Sequence, residues 1–237
     1  MYDLRKLKST FDKISYTSSE MTSFVDILDF TLIPFRYYEN PDLLKEAHQK
    51  LQSFPKKELI AQFMTEIADL NPDGFADPLG EFYMTHISYG RLGQYFTPEH
   101  ITDMTAMMNI PPDMQPGQKV LDPACGSGRF ILSAAKINRS LDFYGADLDS
   151  ICCKMALVNM LLNSLTGEIA HMDSLSNDFF VGYQVKRVLI NGFYYPFFEE
   201  FTTPERSNIW LHPQLPKVDP VAPDQTKKPV FMQGSLF

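Results

Sequence analysis

The sequence VLDPACGSGRFILSAA at residues 120–135 joins a short apolar run, two glycines and a segment with helical spacing of apolar residues. The apolar run ends at Asp122, and Gly126 and Gly128 stand between it and the helical segment. Glycines at a turn from a strand to a helix let the backbone approach a ligand, and the helix N-terminus offers free N–H groups. The stretch therefore predicts a strand, a ligand-binding turn and a helix, although a tight turn in any α/β protein has a similar pattern.

Short apolar runs and longer helical patterns alternate on both sides of this turn. The runs KVLD (119–122), LDFYGAD (141–147), GEIAHMD (167–173) and KRVLIN (186–191) each end in a polar residue, as expected of strands. RFILSAAKI follows the first run and SICCKMALVNMLLNSL follows the second, both with helical periodicity. This alternation predicts an α/β fold with a parallel sheet and right-handed crossovers.

Three stretches of different composition indicate how the chain is organised. Residues 1–92 have apolar residues at helical spacing interrupted by prolines, which predicts a helical N-terminal region. Residues 93–201 carry the alternating pattern and are expected to form the ligand-binding core. Residues 202–237 hold six of the 17 prolines and are expected to form a mostly extended or irregular tail.

An acidic residue, Asp147, ends the second predicted strand. Acids at this place commonly bind ribose hydroxyls in dinucleotide-binding folds. The alternative for such a residue is to cap the following helix, but Asp149 stands directly before that helix. We therefore expect Asp147 to bind ribose and Asp149 to be the N-cap.

Charge and cysteine content exclude several classes of protein. The 237 residues include 21 Lys and Arg against 29 Asp and Glu, and a net charge of −8 argues against holding nucleic acid by bulk positive charge. The three cysteines have neither a disulfide framework nor zinc-ligand spacing, and Cys125 has no histidine at an activating spacing. The sequence has no secretory signal and no apolar run of membrane-spanning length, which predicts a soluble cytoplasmic protein without a metal site.

The segment DPACGSG at 122–128 resembles the S-adenosylmethionine loop of amino-group DNA methyltransferases, especially the modification subunits of type I restriction systems. Other segments resemble the same family in order and spacing: DPLGEFYMTHIS (77–88) with GQYFTPEHI (93–101), GADLD (145–149) and HMDSL (171–175). The resemblance covers roughly residues 77–196. It implies the Rossmann-like methyltransferase sheet, here in a shortened form.

The resemblance also implies which residues bind the cofactor. They are Gln94, Tyr95, Phe96, Thr97, Pro98, Asp122, Ala124, Gly126, Gly128, Asp147 and Asp173. By this resemblance, residues 95–98 contact the methionine moiety, Asp147 accepts the ribose hydroxyls and Asp173 accepts the adenine amino group. Core packing is the alternative for Tyr95 and Phe96, and a helix cap is the alternative for residues 97–99.

The catalytic signature of the resembled family is an Asn/Asp-Pro-Pro-aromatic tetrapeptide after the fourth strand, and this sequence lacks it. At the expected place, after KRVLI, stands Asn191-Gly192-Phe193-Tyr194. The resemblance implies that Asn191 accepts a hydrogen bond from the target amino group and that Tyr194 stacks on the extruded base. The alternative is a plain transition from strand to turn, with Tyr194 and Tyr195 packed against the sheet.

The implied activity is transfer of a methyl group from S-adenosylmethionine to an amino nitrogen, most specifically N6 of adenine in DNA, in a restriction-modification system. No target-recognition region follows the core, so DNA is expected to be bound through a partner subunit. Two alternatives stay open. One is a non-catalytic module that binds the cofactor or regulates a DNA-modifying partner, and the other is a protein-glutamine methyltransferase.

The segment RSNIWLHP (206–213) is a candidate edge strand with Trp210 as its anchor. With four predicted strands, the fourth strand would border solvent unless the segment around 209–211 or another subunit pairs with it. An unpaired strand edge is a site for association with other chains.

The last residues, Gln233-Gly234-Ser235-Leu236-Phe237, are similar to the short peptides by which bacterial polymerases and repair proteins bind the DNA sliding clamp. In that mode, a glutamine makes polar contacts and two apolar side chains fill a pocket. The similarity predicts a bacterial sliding clamp as a partner. The alternative is that Leu236 and Phe237 fold back onto the protein.

Overall fold

A single five-stranded sheet, with strands in the order β1-β2-β3-β4-β5, organises the computed structural model, which describes residues 2–88, 96–111 and 113–211. The strands are β1 (Lys119–Asp122), β2 (Asp142–Asp147), β3 (Thr166–Asp173), β4 (Asp178–Ile190) and β5 (Phe193–Phe201). The α-helices are α1 (Arg5–Ser15), α2 (Glu20–Leu32), α3 (Pro41–Ser53), α4 (Lys57–Asp69), α5 (Pro78–Tyr83), α6 (Glu99–Asn109), α7 (Arg129–Ile137) and α8 (Ser150–Leu162). Shorter helical turns lie at Ile33–Phe35, Met84–Ser88 and Pro204–Arg206. The predicted α/β fold with N-terminal helices is confirmed.

The first three strands are parallel, as predicted, and α7 and α8 form the crossovers between them. Val120 pairs with Phe143, and Gly145 pairs with Ile169. Helix α8 is apolar on nearly all sides because it packs against β2 and β3 on one side and α2 on the other. This arrangement brings the carboxyl ends of β1, β2 and β3 to one edge of the sheet.

KRVLIN, predicted as a strand of the sheet, lies almost entirely in a strand but does not extend the parallel part of the sheet. It is the end of β4, which runs antiparallel to β3. The reason is the length of the connection: β3 ends at Asp173 and β4 begins at Asp178. A parallel neighbour needs a crossover of about a dozen residues or more, so this short turn can make only a hairpin.

The end of β4 is a second hairpin that turns at Asn191 and Gly192. Both residues have positive φ values, 52° and 84°, as the central residues of a type I′ turn require. Strand β5 then pairs with the whole second half of β4, so that Ile190 lies opposite Phe193. The fourth strand is therefore covered by the next segment of the chain.

The segment at Ile209–Leu211 is not the edge strand that the sequence suggested. Ile209 and Trp210 pack on the face of the sheet, against Ala146 of β2 and against Ala170 and Met172 of β3. The indole N–H of Trp210 donates to the Asn177 carbonyl at 3.0 Å. Trp210 therefore packs on the sheet face and is not the expected anchor of an edge strand.

The N-terminal helices share one hydrophobic core with the sheet. Phe82 of α5 lies at the centre of an aromatic cluster, with its ring 5.1 Å from Phe11 of α1 and 5.2 Å from Phe63 of α4. All three rings are fully buried. These contacts pack α1, α4 and α5 against one another.

Several predicted features lie outside the described residues. These are Gln94 and Tyr95 of the lead-in segment, and residues 212–237 with the clamp-like motif. Of the helices in the described part of the chain, none is long and apolar enough to cross a membrane.

Candidate cofactor site

Three acidic residues meet at the carboxyl edge of the parallel strands. Asp122 ends β1, Asp147 ends β2 and Asp173 ends β3. Parallel strands end on the same side, so the sheet itself brings these carboxylates together with the glycine turn. The three predicted ligand-binding residues that belong to strands therefore all lie at this edge.

Asp147 joins the two loops at this edge. Its Oδ2 accepts the backbone N–H of Gly126 at 2.8 Å, and its Oδ1 accepts that of Asp149 at 2.9 Å. Asp149 in turn caps α8, because its Oδ1 accepts the N–H of Ile151 at 2.8 Å. The prediction that Asp149 is the N-cap of α8 is confirmed. Asp147 lies at the strand end where a residue that binds ribose was predicted.

The turn after β1 needs glycine at position 126. Gly126 has a φ of +53°, and a Cβ there would come within 3.0 Å of the Phe96 ring. Gly128, with a φ of +87°, occupies the N-cap position of α7. The aromatic ring of the lead-in segment therefore lies directly on the glycine turn, at the N-terminus of a helix that offers free N–H groups.

Cys125 in this turn has a structural role. Its backbone N–H donates to the Ala146 carbonyl at 2.8 Å, which ties the turn to β2. Burial raises the pKa of its thiol, and the nearby acidic groups raise it further. A thiol held in the protonated form is a small packing group and a poor nucleophile.

The lead-in segment is held by Phe96 and Thr97. The Phe96 ring stacks on Tyr83 of α5, with ring centroids 6.0 Å apart and an interplanar angle of 18°. The carbonyl of Thr97 accepts from Arg129 at 3.2 Å. Thr97 and Pro98 are exposed, and α6 begins directly after Pro98.

A buried polar network, which the sequence did not predict, lies beneath the glycine turn. Its centre is Asp77, whose Oδ2 accepts from Arg129 at 2.8 Å and from Ser127 at 2.5 Å. Its Oδ1 accepts from Gly80 at 2.8 Å and from Asn159 at 2.9 Å. Each oxygen of this buried carboxylate thus accepts two hydrogen bonds. These bonds fix the turn relative to α5 and α8.

The positive charge of Arg129 in this network is paired with two carboxylates, those of Asp77 and Glu81. Arg129 also donates to Glu81 at 2.8 Å. Burial lowers the pKa of Arg129, but Asp77 and Glu81 together outweigh it and raise the pKa overall. Arg129 is therefore a fixed cation at the start of α7.

Asp122 and Asp173 are in different electrostatic environments. Burial raises the pKa of Asp122, and the negative charge of Asp147 acts in the same direction. The backbone N–H groups of Leu175 and Ser176 donate to Asp173 and lower the pKa of that carboxyl. Asp173 is therefore ionised over a wider range of pH than an ordinary aspartate, and it acts as an acceptor.

Two exposed leucines at the same edge were not predicted as site residues. Leu148 follows Asp147 and is 62% exposed, and Leu175 follows the end of β3 and is 99% exposed. Apolar side chains beside carboxylates at the mouth of a loop are suited to the faces of a planar ring. Both leucines come within two residues after a predicted strand end, which is the signal in the sequence that marks them.

The structure does not bring Asn191 and Tyr194 to this edge. They lie at the far end of β4, which leaves Asp178 at the carboxyl edge and runs 13 residues in the opposite direction. Tyr194 is exposed, and Arg187 lies 4.8 Å from the centre of its ring. The catalytic roles of Asn191 and Tyr194 stay a prediction, and the structure places both residues away from the glycine turn.

A glycine turn between a parallel strand and a helix, with an acid at the end of the next strand, defines an α/β protein with a nucleotide-type ligand site. The chain belongs to the N-6 DNA Methylase family, whose model matches residues 76–236. The predicted resemblance is thus confirmed at the level of the family.

Curated proteins show the same distant similarity. Over 181 residues, or 66% of the chain, it is 27% identical to the type II restriction enzyme and methyltransferase RM.BcgI of Heyndrickxia coagulans. Over 186 residues, or 70% of the chain, it is 27% identical to the type I restriction enzyme MjaIX methylase subunit of Methanocaldococcus jannaschii. The matched parts cover only 28% and 32% of those two relatives.

Two further similarities are more general. Over 201 residues, or 74% of the chain and 64% of the relative, the chain is 25% identical to a ribosomal protein L11 methyltransferase of Caldanaerobacter subterraneus. A Listeria monocytogenes crystal structure described as a class I S-adenosylmethionine-dependent methyltransferase superposes with a TM-score of 0.49 and 15% identity. That superposition covers 71% of this chain and 53% of the other.

Proposed function

We propose that the chain binds S-adenosylmethionine and serves methyl transfer to an amino nitrogen, most specifically N6 of adenine in DNA. The observation that carries the proposal is the Asp147 carboxylate, which accepts the Gly126 N–H at 2.8 Å at the end of β2. This contact positions an acceptor for ribose hydroxyls next to the turn at Gly126, where a Cβ would come within 3.0 Å of the Phe96 ring. Membership of the N-6 DNA Methylase family supports the choice of cofactor and of reaction.

The residues at the edge fit this cofactor. The backbone of Gly126, with Phe96 above it, forms a cradle that a Cβ would fill. Asp147 is available for ribose hydroxyls, and Leu148 and Leu175 for the faces of an adenine. Asp173, whose pKa is lowered, suits the adenine amino group as an acceptor.

When bound, S-adenosylmethionine supplies a methyl group on a sulfonium, which is a good leaving group. The protein therefore needs to orient the reactants rather than to provide strong acid–base catalysis. The Asp77 network and the Phe96–Tyr83 stack fix the loop beside which the amino nitrogen must be aligned. Among the described residues, no Asn-Pro-Pro-aromatic loop lies beside this turn to hold that nitrogen, and the sequence contains none.

A second candidate function follows from the position of Asn191 and Tyr194. Since both lie away from the glycine turn, the chain suits a module that binds the cofactor and acts with a DNA-modifying partner. The third candidate, methyl transfer to a protein, has the similarity to the ribosomal protein L11 methyltransferase in its favour. The leading proposal has three further parts. The chain acts in a restriction-modification system, it acts in the cytoplasm, and it binds DNA through a partner subunit.

Calorimetric titration with S-adenosylmethionine tests the cofactor. We expect Asp147→Asn to weaken binding by roughly 1–3 kcal/mol, the scale for losing a partner of buried hydroxyls. Asp142→Asn is the matched control. Asp142 begins the same strand, at the end away from the glycine turn, and its carboxylate accepts a hydrogen bond from the Thr166 hydroxyl at 2.7 Å. Absence of binding by the unchanged chain at millimolar cofactor contradicts the proposal.

Methyl transfer is then measured with radiolabelled cofactor on unmodified DNA, on RNA and on ribosomal protein. Label on adenine N6 of DNA supports the leading function. Label on protein alone supports the third candidate. Cofactor binding without transfer by the isolated chain supports the module that works with a partner.

A further inference from the structure

A cavity of about 340 Å³ lies between the N-terminal helices and the antiparallel part of the sheet. Its walls come from α2, α3, α8, β4 and β5 and from the turn at Ile33–Phe35. The Phe198 carbonyl of β5 accepts the backbone N–H of Tyr37 at 2.8 Å, which ties the segment after that turn to the sheet. Cavities of this size hold small molecules, and none of the described residues that line this one is a candidate cofactor residue.

One polar side chain in this cavity is buried and lacks a protein partner. Tyr183 of β4 is 8% exposed, and its hydroxyl makes no hydrogen bond to the described residues. The hydroxyl is not sealed inside the protein either, because the sealed side-chain oxygens without a partner in the described ranges are Oε2 of Glu66 and Oγ of Ser88. It is therefore open to the cavity that Tyr183 lines. Buried polar groups almost always have a partner, so this hydroxyl indicates a molecule in the cavity.

The surroundings of this hydroxyl keep it a hydrogen-bond donor. Burial raises the pKa of Tyr183, and the negative charge of Glu200 raises it further. The phenol therefore stays protonated over the physiological range of pH. Hydrogen bonds from such a donor are strongest when the acceptor is a charged oxygen.

The charged residues that line the cavity leave one cation unmatched. Lys154 of α8 donates to Asp29 at 2.5 Å, and Arg36 lies 3.0 Å from Glu200. Lys50 of α3, the remaining charged residue of the lining, forms no ion pair with the part of the chain that the structure describes. Three cations thus stand against two carboxylates, and the excess of one positive charge attracts a singly charged anion.

Most of the other residues that line the cavity are apolar. Leu32, Ile33, Ala47 and Phe198 are all buried. The Tyr183 ring meets the Phe198 ring nearly edge-on, with ring centroids 5.8 Å apart and an interplanar angle of 74°. Apolar walls with a few polar groups are typical of sites that bind small organic molecules.

We propose that this cavity binds a small monocarboxylate with an aromatic or apolar body. Its carboxylate accepts a hydrogen bond from the Tyr183 hydroxyl and pairs with the Lys50 ammonium, whose flexible stem can follow the ligand. Its body lies against Ile33 and Phe198. A phosphate monoester carries nearly two negative charges and would leave one of them without a cation. The site is separate from the cofactor edge, so the inference does not rest on the proposed function.

Calorimetric titration of the full chain with four matched probes tests the class of ligand. Phenylacetate has one charge and an aromatic body, phenylacetamide lacks the charge, acetate lacks the body and phenyl phosphate has the larger charge. We expect phenylacetate to bind and each of the other three to bind at least tenfold more weakly. No binding of phenylacetate at millimolar concentration overturns the inference, because water then suffices as the partner of Tyr183. Equal or tighter binding of any other probe also overturns it.

The hydroxyl of Tyr183 is tested by Tyr183→Phe. We expect this variant to bind phenylacetate about tenfold more weakly, as expected for one lost hydrogen bond to a charged group. Its urea midpoint should be unchanged or higher, because the hydroxyl has no protein partner to lose. Tyr144→Phe is the matched control, since Tyr144 is a buried tyrosine of β2 outside this cavity, and it should bind phenylacetate normally. Equal affinities for the two variants, or a lower midpoint for Tyr183→Phe, contradict the role of this hydroxyl.

The charge of Lys50 is tested on the same helix. Lys50→Ala should weaken phenylacetate binding at least tenfold, and Lys50→Arg should largely keep it. Lys45→Ala is the matched control, because Lys45 is an exposed lysine of α3 that does not line the cavity. If Lys50→Ala and Lys45→Ala bind equally well, the carboxylate does not pair with Lys50 and the inference fails.

Titration with S-adenosylmethionine separates this inference from the proposed function. Tyr183→Phe and Lys50→Ala should bind S-adenosylmethionine with the affinity of the unchanged chain. A chain that binds S-adenosylmethionine but not phenylacetate contradicts this inference alone. A chain that binds phenylacetate but not S-adenosylmethionine contradicts the proposed function alone.

Discussion

The Arg129 guanidinium donates to the Asp77 carboxylate at 2.8 Å, and both side chains are almost completely buried. Asp77 is the N-cap of α5 and Arg129 is the first residue of α7, so the contact joins the N-terminal helices to the cofactor turn. A buried ion pair of this kind is weak as a net source of stability, but breaking it leaves an uncompensated charge. The pair therefore acts mainly to hold the turn in one position.

Removal of the Asp77 charge should strongly destabilise the protein. We expect Asp77→Asn to lower the free energy of unfolding by about 3–5 kcal/mol, the scale for breaking a buried pair. Urea unfolding followed by circular dichroism measures the change. Asp3→Asn is the matched control, since Asp3 pairs with Arg5 on the surface, and it should leave the midpoint in place. Equal midpoints for the two variants contradict the role assigned to the buried pair.

The glycine turn allows a controlled test of shape. Gly126→Ala and Gly117→Ala both place an alanine at positive φ, at 53° and 79°, and each should lose about 1–2 kcal/mol of stability. Only at Gly126 does the new Cβ meet the Phe96 ring, because nothing lies within 4 Å of the position at Gly117. We expect at least a tenfold loss of S-adenosylmethionine affinity for Gly126→Ala and none for Gly117→Ala. Titration of both variants decides, and equal affinities would show that the cradle is not where the cofactor binds.

The parallel part of the sheet could be predicted because each run ends in a polar residue and is followed by a helical pattern of crossover length. The direction of β4 could also have been predicted. Asp173 and Asp178 are too close in sequence for a crossover, and Asn191-Gly192 between two apolar runs is a strong hairpin signal. The segment Asn191-Gly192-Phe193-Tyr194 stands where the resembled family has its catalytic tetrapeptide, and this position favoured a catalytic loop over a hairpin.

The Asp77 network could not be predicted in the same way. Its partners Gly80, Ser127, Arg129 and Asn159 come from three separated parts of the chain. No local pattern marks a buried carboxylate, since Asp77 before Pro78 has the sequence of an ordinary helix cap. Only the packing of α5 against α7 and α8 brings these groups together.

The hairpin at Asn191 and Gly192 gives a prediction about catalysis. Gly192→Pro introduces a catalytic-type proline, but the ring cannot adopt the φ of 84° found there. We expect a loss of stability of more than about 1 kcal/mol and no gain in methyl transfer. Gly192→Asn is the control, because asparagine tolerates positive φ, and it should be milder. Increased methyl transfer by the proline variant would restore Asn191 and Tyr194 as catalytic candidates.

The C-terminal motif is testable as a peptide. A peptide of residues 228–237 should bind a bacterial sliding clamp with micromolar affinity, about −8 kcal/mol. The Leu236→Ala, Phe237→Ala double variant should abolish binding, because these side chains would fill the apolar pocket. Fluorescence anisotropy with purified clamp measures both peptides. Equal background binding by the two peptides disposes of the clamp as a partner.

The segment at residues 202–211 should detach from the sheet before the protein unfolds as a whole when its anchor is removed. Ser207 donates to the fully buried Glu168 at 2.5 Å and accepts the N–H groups of Ile209 and Trp210 at 3.0 and 3.1 Å. Ser207→Ala removes this link, and we expect a loss of about 1–3 kcal/mol, the scale for an unsatisfied buried polar group.

Trp210, the single tryptophan of the sequence, reports on this segment directly. In Ser207→Ala, its emission should shift to the red at a lower urea concentration than the loss of circular dichroism, because the indole leaves the face formed by Ala146 and Ala170. Ser53→Ala is the matched control, since its exposed hydroxyl only donates within α3. If fluorescence and circular dichroism still change together at the original midpoint, Ser207 does not anchor the segment. Early detachment would instead show that the other contacts of the segment, from Asn208 to Glu168 and from Trp210 and Leu211 to Asn177, do not hold it on the sheet without Ser207.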